Sequence, residues 1–269
     1  MAPAPKGLRV FSCGHSFHMF VVPILNDMAV AAGIEGHVIA GRSSIGGSRV
    51  MQHWDIPDGK NTAKAALSAG VVDVLTLAPI WLPEEGIEKF ATLAFGHRPD
   101  IRVTVQEYWL PNDTYEPRYP LDTRKKVDHD ATDLAALQKH QDHYDHDVDE
   151  YCRDINKRLG KDVIVTVPVG QAVVALRRKI AAGEVPGLTK QWDLFRDNWG
   201  HPTGPIMVLS GYCHFAVIYG RSPVGLSMPP TFLKANKPEW DAKLNRLLQE
   251  LAWDAVTHHP LSGVAAPVK

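Results

Sequence analysis

Phe11-Ser12-Cys13-Gly14-His15-Ser16-Phe17-His18, preceded by the apolar run Leu8-Arg9-Val10, decides how this chain is read. An apolar run, a glycine, a serine and a helix-like segment from Met19 to Ala32 spell a strand, a tight turn and a helix. That order sets the Ser16 hydroxyl beyond the carboxyl end of a first strand, beside the N–H groups of a helix start. Open α/β sheets carry their reactive groups at that edge, and helix starts stabilise negative charge developing there. Two readings follow for Ser16: a nucleophile, or an N-cap of the helix, since serine is a preferred cap.

Working outward, strand and helix patterns alternate. Gly36-His37-Val38-Ile39-Ala40 reads as a second strand, running into the glycine- and serine-rich loop Gly41 to Ser48. Within that loop Gly46-Gly47 permits close backbone approach, which serves either an anion or a plain turn. His53-Trp54-Asp55 would wall a pocket or close the domain. Val71 to Ala78 has the near-continuous apolar character of a buried parallel strand. Pro83-Glu84-Glu85 opens a helix, with proline in the first turn and acids at the positive end. Ile101 to Gln106 and Lys161 to Val167 read as further strands, and Gly170 to Ala182 as an amphipathic helix. The pattern predicts an α/β fold: a three-layer α/β/α sandwich with a parallel sheet of about five strands, flavodoxin-like in topology. Residues 1–269 read as a single domain. A charged segment at about 112–160, with a His-rich helix from Ala131 to Leu159, is inserted between two strands of the sheet.

Composition agrees with one sizeable core: 45% of the 269 residues are hydrophobic and 22% charged. With 29 basic and 30 acidic residues the formal net charge is −1, which argues against nucleic acid as a general partner. Cys13, Cys152 and Cys213 are widely spaced and odd in number, which excludes a disulfide-stapled scaffold. Met1 to Lys6 is Pro/Ala-rich without the apolar stretch of a signal peptide, and no apolar segment is long enough to cross a membrane. Compartment and oligomeric state are not encoded legibly.

A serine hydroxyl needs a base, usually a histidine, and the histidine needs an orienting acceptor. Among 13 histidines, His201 stands out: it lies in an aromatic loop directly before a helix, with Asp197 four and Asp193 eight positions earlier. Loops on a rigid sheet are where catalytic groups tend to lie.

Gly14-His15-Ser16-Phe17 resembles the Gly-Asn/Asp-Ser-Phe/Leu first block of the SGNH (GDSL-like) hydrolases. Ile45-Gly46-Gly47-Ser48 resembles the family's glycine block, and Arg196-Asp197-Asn198-Trp199-Gly200-His201-Pro202 its late Asp-x-x-His loop. Tyr219 to Gly225 is similar to the end of a GNSFT-like branch, so the resemblance spans residues 7 to 225. It implies a serine esterase with no cofactor and no metal, acting on a small-molecule or glycan ester. Ser16 would attack, His201 would serve as base and then acid, and the N–H groups of Ser16 and of Gly46 or Gly47 would hold the oxyanion. Two departures stand out. Leu77-Ala78-Pro79-Ile80-Trp81 occupies the place of the Gly-x-Asn-Asp block, and Gln106 is the substitute oxyanion donor or else a strand-end polar residue. The orienting acid is Asp197 with a one-residue insertion, in preference to Asn198 or Asp193.

Other candidates carry bland alternatives. Cys13 inside a strand end reads as a small buried hydrophobe. His15 and His18 would line the pocket or sit solvated at a helix start. Trp54, Trp81, Trp109 and Trp199 suit stacking on a sugar ring or an aryl acid, or pack in the core. His140, His143 and His146 with the acids between them keep a metal-dependent hydrolase open, although such helices are usually solvated faces. A catalytically silent glycan-binding protein is the third possibility.

Overall fold

In the computed structural model, which describes residues 5–115 and 126–265, the apolar runs become a five-stranded parallel sheet flanked by helices. The strands are β1 (Arg9–Gly14), β2 (Val38–Ser44), β3 (Val74–Leu77), β4 (Arg102–Glu107) and β5 (Ile164–Pro168). Their spatial order is β2-β1-β3-β4-β5, the flavodoxin-like order. The expected α/β class and strand number are therefore observed. The crossover direction reverses between β1 and β3, so the carboxyl ends of those two strands flank the topological switch point.

Contacts gather the chain into two compact units. One holds Met1–Glu107 and Asp147–Val167, the other Tyr108–His146 and Pro168–Lys269.

In the first unit, α1 (Val21–Ala31), α2 (Val50–Trp54), α3 (Thr62–Ser68) and α4 (Glu85–His97) alternate with the strands. Asn61 caps α3, its side chain accepting from Lys64 N at 3.0 Å. Strand β2 runs to Ser44, four residues into the stretch expected to be loop. Glycine and serine are poor strand formers, but β1 supplies the ladder from Arg9↔Val38 to Gly14↔Ser44. Gly41 is also required there: a Cβ would sit 2.4 Å from the Phe11 ring.

The His-rich helix α5 (Leu134–Leu159) follows β4 in the chain and precedes β5, the neighbour of β4 in the sheet. Residues 116–125 of the expected loop, with Pro117 and Pro120, lie outside the described residues. Near the end of α5, buried Asn156 donates to Ile164 O at 2.8 Å and accepts from the N–H groups of Val163 and Ile164 at 3.0 and 2.8 Å. One amide thus covers the outer edge of β5, which would otherwise expose backbone groups. Asn156→Ala strands the buried N–H and C=O of Ile164, while Val163 N keeps its bond to Lys161 O, and is expected to lower unfolding free energy by about 2–4 kcal/mol, read as a shifted urea midpoint.

In the second unit, α6 (Val169–Ala181), α7 (Gly204–Tyr219), α8 (Pro230–Leu233) and α9 (Ala242–His258) follow β5. Helix α7 is apolar around its whole circumference, and every residue but Met207 is buried. It packs against α6 and α9, where Tyr212 donates from its hydroxyl to Asn245 Oδ1 at 2.7 Å. Among the described residues, no helix is long and apolar enough to cross a membrane.

Candidate active site

Ser16 follows β1 in a turn that spans residues 16–20, and α1 starts only at Val21 with Phe20 as its N-cap. Ser16 is therefore not the cap, which corrects that reading. The turn closes through Met19 N donating to His15 O at 2.9 Å. From Val10 to His18, Ser16 is the one residue that is not buried. Gly14 is fixed by the same turn: a Cβ there would meet the His18 ring at 2.5 Å.

His18 has no exposed surface. Its Nδ1–H donates to Gln106 Oε1 at 2.8 Å, and its Nε2 accepts from Thr76 Oγ1 at 3.1 Å. Burial pushes its pKa from the usual 6.5 down to about 4, with the Gln106 bond only partly opposing it. Gln106 is equally enclosed, and its Nε2 donates to Phe17 O at 3.0 Å. Gln106 thus steadies the Ser16 turn from below. That differs from the oxyanion role expected of it, because its amide is spent on His18 and the Phe17 carbonyl. His18 likewise belongs to the interior, as does His15, which is 3% exposed and accepts from Phe17 N through Nδ1 at 3.3 Å.

Because His18 is neutral when folded but titrates normally when unfolded, acid favours the unfolded chain. Its contribution is complete above about pH 6.5 and is lost as pH falls toward 4, at most about 3 kcal/mol. Urea midpoints measured across that window should fall steeply for the wild type and less steeply for His18→Gln, whatever that variant's stability at pH 7.

Beside the turn, Ile45 N donates to Gly14 O at 3.3 Å, so the glycine loop leaves from the end of β1. Gly46 and Gly47 are exposed, and Gly47 has a left-handed φ of 61° that favours glycine. His53 closes the loop at its base, with Ser43 Oγ 2.7 Å from Nδ1 and Ser48 Oγ 2.8 Å from Nε2. Burial lowers the His53 pKa to about 4. Glu84 holds the start of α2, accepting from Val50 N and Met51 N at 3.0 Å each. Trp54 is half-buried against Phe90, with the Lys64 ammonium 4.3 Å from its ring. Trp81 is half-buried, with the Arg49 guanidinium 5.3 Å from its ring. Cys13 is fully buried and its thiol pKa is raised by that burial, which suits packing and not nucleophilic attack.

In the second unit, the loop 195–202 is closed by the Phe195–Pro202 bridge and by Arg196 N donating to His201 O at 2.8 Å. Inside it Asp197 Oδ2 accepts from His201 Nδ1 at 2.7 Å, while Oδ1 accepts from Trp199 N and His201 N at 3.0 and 3.1 Å. Partial burial works against the Asp197 carboxylate, but these bonds from His201 and Trp199 outweigh it and hold its pKa below the usual range. The side chains keep 42% and 32% exposure, leaving the pair open to a reactant. Of Asp197, Asn198 and Asp193, the three residues considered, Asp197 meets the imidazole. Asp193 instead accepts from Thr189 N and Lys190 N at 3.2 and 3.1 Å.

Trp109 is 2% exposed and donates from Nε1 to Gly200 O at 2.8 Å, so it props the histidine loop and offers no stacking face. Trp199 stays half-buried within the loop. His140, His143 and His146 join no group of three or more metal-ligating side chains among the described residues. Sequence reasoning missed His129, Asp113 and Arg177. Arg177 alone left a trace, an arginine on the apolar face of α6 between Val173 and Ile180.

No protein-family model matches the chain, and no curated protein matches it. Among solved structures, a DUF4886 family protein from Bacteroides uniformis has the same fold, with a TM-score of 0.60 and 14% identity over 94% of this chain and 96% of that one. Phospholipase A1 from Streptomyces albidoflavus is matched at a TM-score of 0.45 and 11% identity, over 80% of this chain and 100% of that one.

Proposed function

We propose that the chain is a carboxylic ester hydrolase working through an acyl-Ser16 intermediate, with His201 as general base and Asp197 as its orienting acid. The observation that carries this is the 2.7 Å contact between Asp197 Oδ2 and His201 Nδ1. It fixes the tautomer whose lone pair lies on Nε2, the form a general base needs. Two further observations support the reading: Ser16 stands partly exposed at the switch point, and the glycine loop is tied to the end of β1.

In this reading Ser16 Oγ attacks the ester carbonyl and its proton passes to His201 Nε2. The oxyanion is held by the backbone N–H groups of Ser16 and of Gly46 or Gly47. Collapse breaks the bond to the alcohol, which leaves with the proton from His201. Water, deprotonated by His201, then attacks the acyl carbon; the bond to Ser16 Oγ breaks, Oγ takes the proton back from His201, and the carboxylic acid leaves. Loss of one oxyanion donor typically costs on the order of 10²–10³ in rate. The proposed substrate is an acylated carbohydrate, such as an acetyl ester, supported by the part-exposed rings of Trp54, Trp81 and Trp199.

A fluorophosphonate probe tests the nucleophile directly. Ser16 should carry the adduct in peptide mass mapping, and prior treatment with a chelator should change neither labelling nor ester turnover. A label on another residue, or chelator-sensitive turnover, would overturn the assignment.

A further inference from the structure

Behind Asp197 lies a second carboxylate–imidazole pair that the proposed chemistry does not use. Asp113 is paired in two bonds with Arg177, whose Nη1 and Nη2 donate at 2.5 and 2.8 Å. His129 Nδ1 donates to Asp113 Oδ2 at 3.0 Å, and Thr132 Oγ1 donates to the same oxygen. On its far side, His129 Nε2 lies 3.3 Å from the backbone oxygen of Asp197. Both imidazole nitrogens face oxygen atoms, so the ring spans the gap between the buried Asp113 carboxylate and the backbone of Asp197.

Exposure is 0% for the His129 side chain, 5% for Asp113 and 2% for Arg177. Burying two charges is expensive unless geometry and remaining hydrogen bonds are satisfied. Here they are: Arg177 Nε also donates to Gln191 Oε1 at 2.7 Å, and its Nη2 to His129 O at 3.2 Å. Burial works against the Asp113 carboxylate, but the hydrogen bonds from His129 and Arg177 outweigh it and hold its pKa well below the usual carboxylate range. The His129 ring packs on Phe195 and Trp192 at centroid distances of 4.2 and 4.6 Å, and the Arg177 guanidinium lies 5.3 Å from the Phe195 ring. Phe195 is the first residue of the loop that presents His201, so the network grips that loop at its entry and at Asp197.

The geometry points to His129 as a positioning residue for the Asp197–His201 dyad, anchored by Asp113 and Arg177; this rests on the esterase reading above. It holds the Asp197 backbone, and through it the carboxylate that orients His201. It touches neither substrate nor reacting atoms. Displacements of about 1 Å behind a catalytic group can cost roughly 10²-fold in rate.

The test compares wild type, His129→Phe and His129→Gln. His129→Phe keeps a ring against Phe195 and Trp192 but loses both ring nitrogens; His129→Gln keeps a polar amide. Two quantities are measured: kcat and KM on p-nitrophenyl acetate, and the proton NMR signal of the His201 Nδ1–H with ¹⁵N-labelled histidine. His129→Phe should lower kcat about 10–100-fold with KM little changed and move or broaden the His201 signal. His129→Gln should recover part of both. A folded His129→Phe with wild-type kcat and an unmoved His201 signal would overturn the proposal. Should His129→Phe not fold, His129→Gln decides by the same two readouts, a smaller kcat loss and a shifted signal being expected and wild-type values refuting it. If the wild type hydrolyses no ester, the esterase reading fails by itself, and the NMR signal still decides whether His129 positions the dyad.

Discussion

Replacing Ser16 by alanine is expected to remove ester turnover almost entirely, by on the order of 10⁴–10⁶ in kcat. A hydroxyl that forms the covalent intermediate has no substitute, and what remains is the contribution of oxyanion binding alone. Alanine at this position should fold. Ser16 caps no helix, and its turn is closed by the backbone bond from Met19 to His15 and steadied by Gln106. The measurement is burst and steady-state release of p-nitrophenol, alongside thermal unfolding. Undiminished turnover in Ser16→Ala would end the assignment, whereas silence in every variant and in the wild type would favour a binding protein.

The second large effect is expected from Asp197→Asn. Asparagine can still accept from Trp199 N and His201 N through its oxygen, so the loop keeps its shape. Its NH₂ group would then face His201 Nδ1, which must accept. The proton moves to Nε2, and the imidazole can no longer act as a base. A loss on the order of 10²–10⁴ in kcat follows, the lower end applying because the pair is part-exposed. Asp197 is held below the usual carboxylate range, so its own protonation should not set the acid limb of the wild-type profile. Rates for both proteins from pH 4 to 9 check this. A mutant profile parallel to the wild type within about twofold would remove Asp197 from the mechanism.

The sheet was legible because apolar strand runs alternate with helical ones, and that alternation leaves few topologies. What sequence obscured were places where a partner overrides composition. Gly41 to Ser44 looks like loop until β1 supplies its hydrogen bonds and Phe11 needs the space over Gly41. Ser16 looks like a cap because serine usually is one, yet the chain spends one more turn before α1 begins. The Asp197–His201 hydrogen bond was readable as a pairing, since the carboxylate and the imidazole sit four residues apart in one loop. The buried supports were not: Arg177 meets Asp113 across 64 positions, and His129 meets Asp197 across 68. Such pairs carry no local pattern, and the burial of Trp109 and His18 shows only when the chain is folded.

Helix α7 has a consequence for how the protein is made. It is buried on every side, and the face that packs on α9 cannot be covered until α9 emerges from the ribosome. At about 5–20 residues per second, the stretch from Tyr219 to His258 takes roughly 2–8 s, during which that largely apolar face lies bare. Chains cut short after Trp240 should aggregate on synthesis, and co-translational chaperones should bind hardest in that interval.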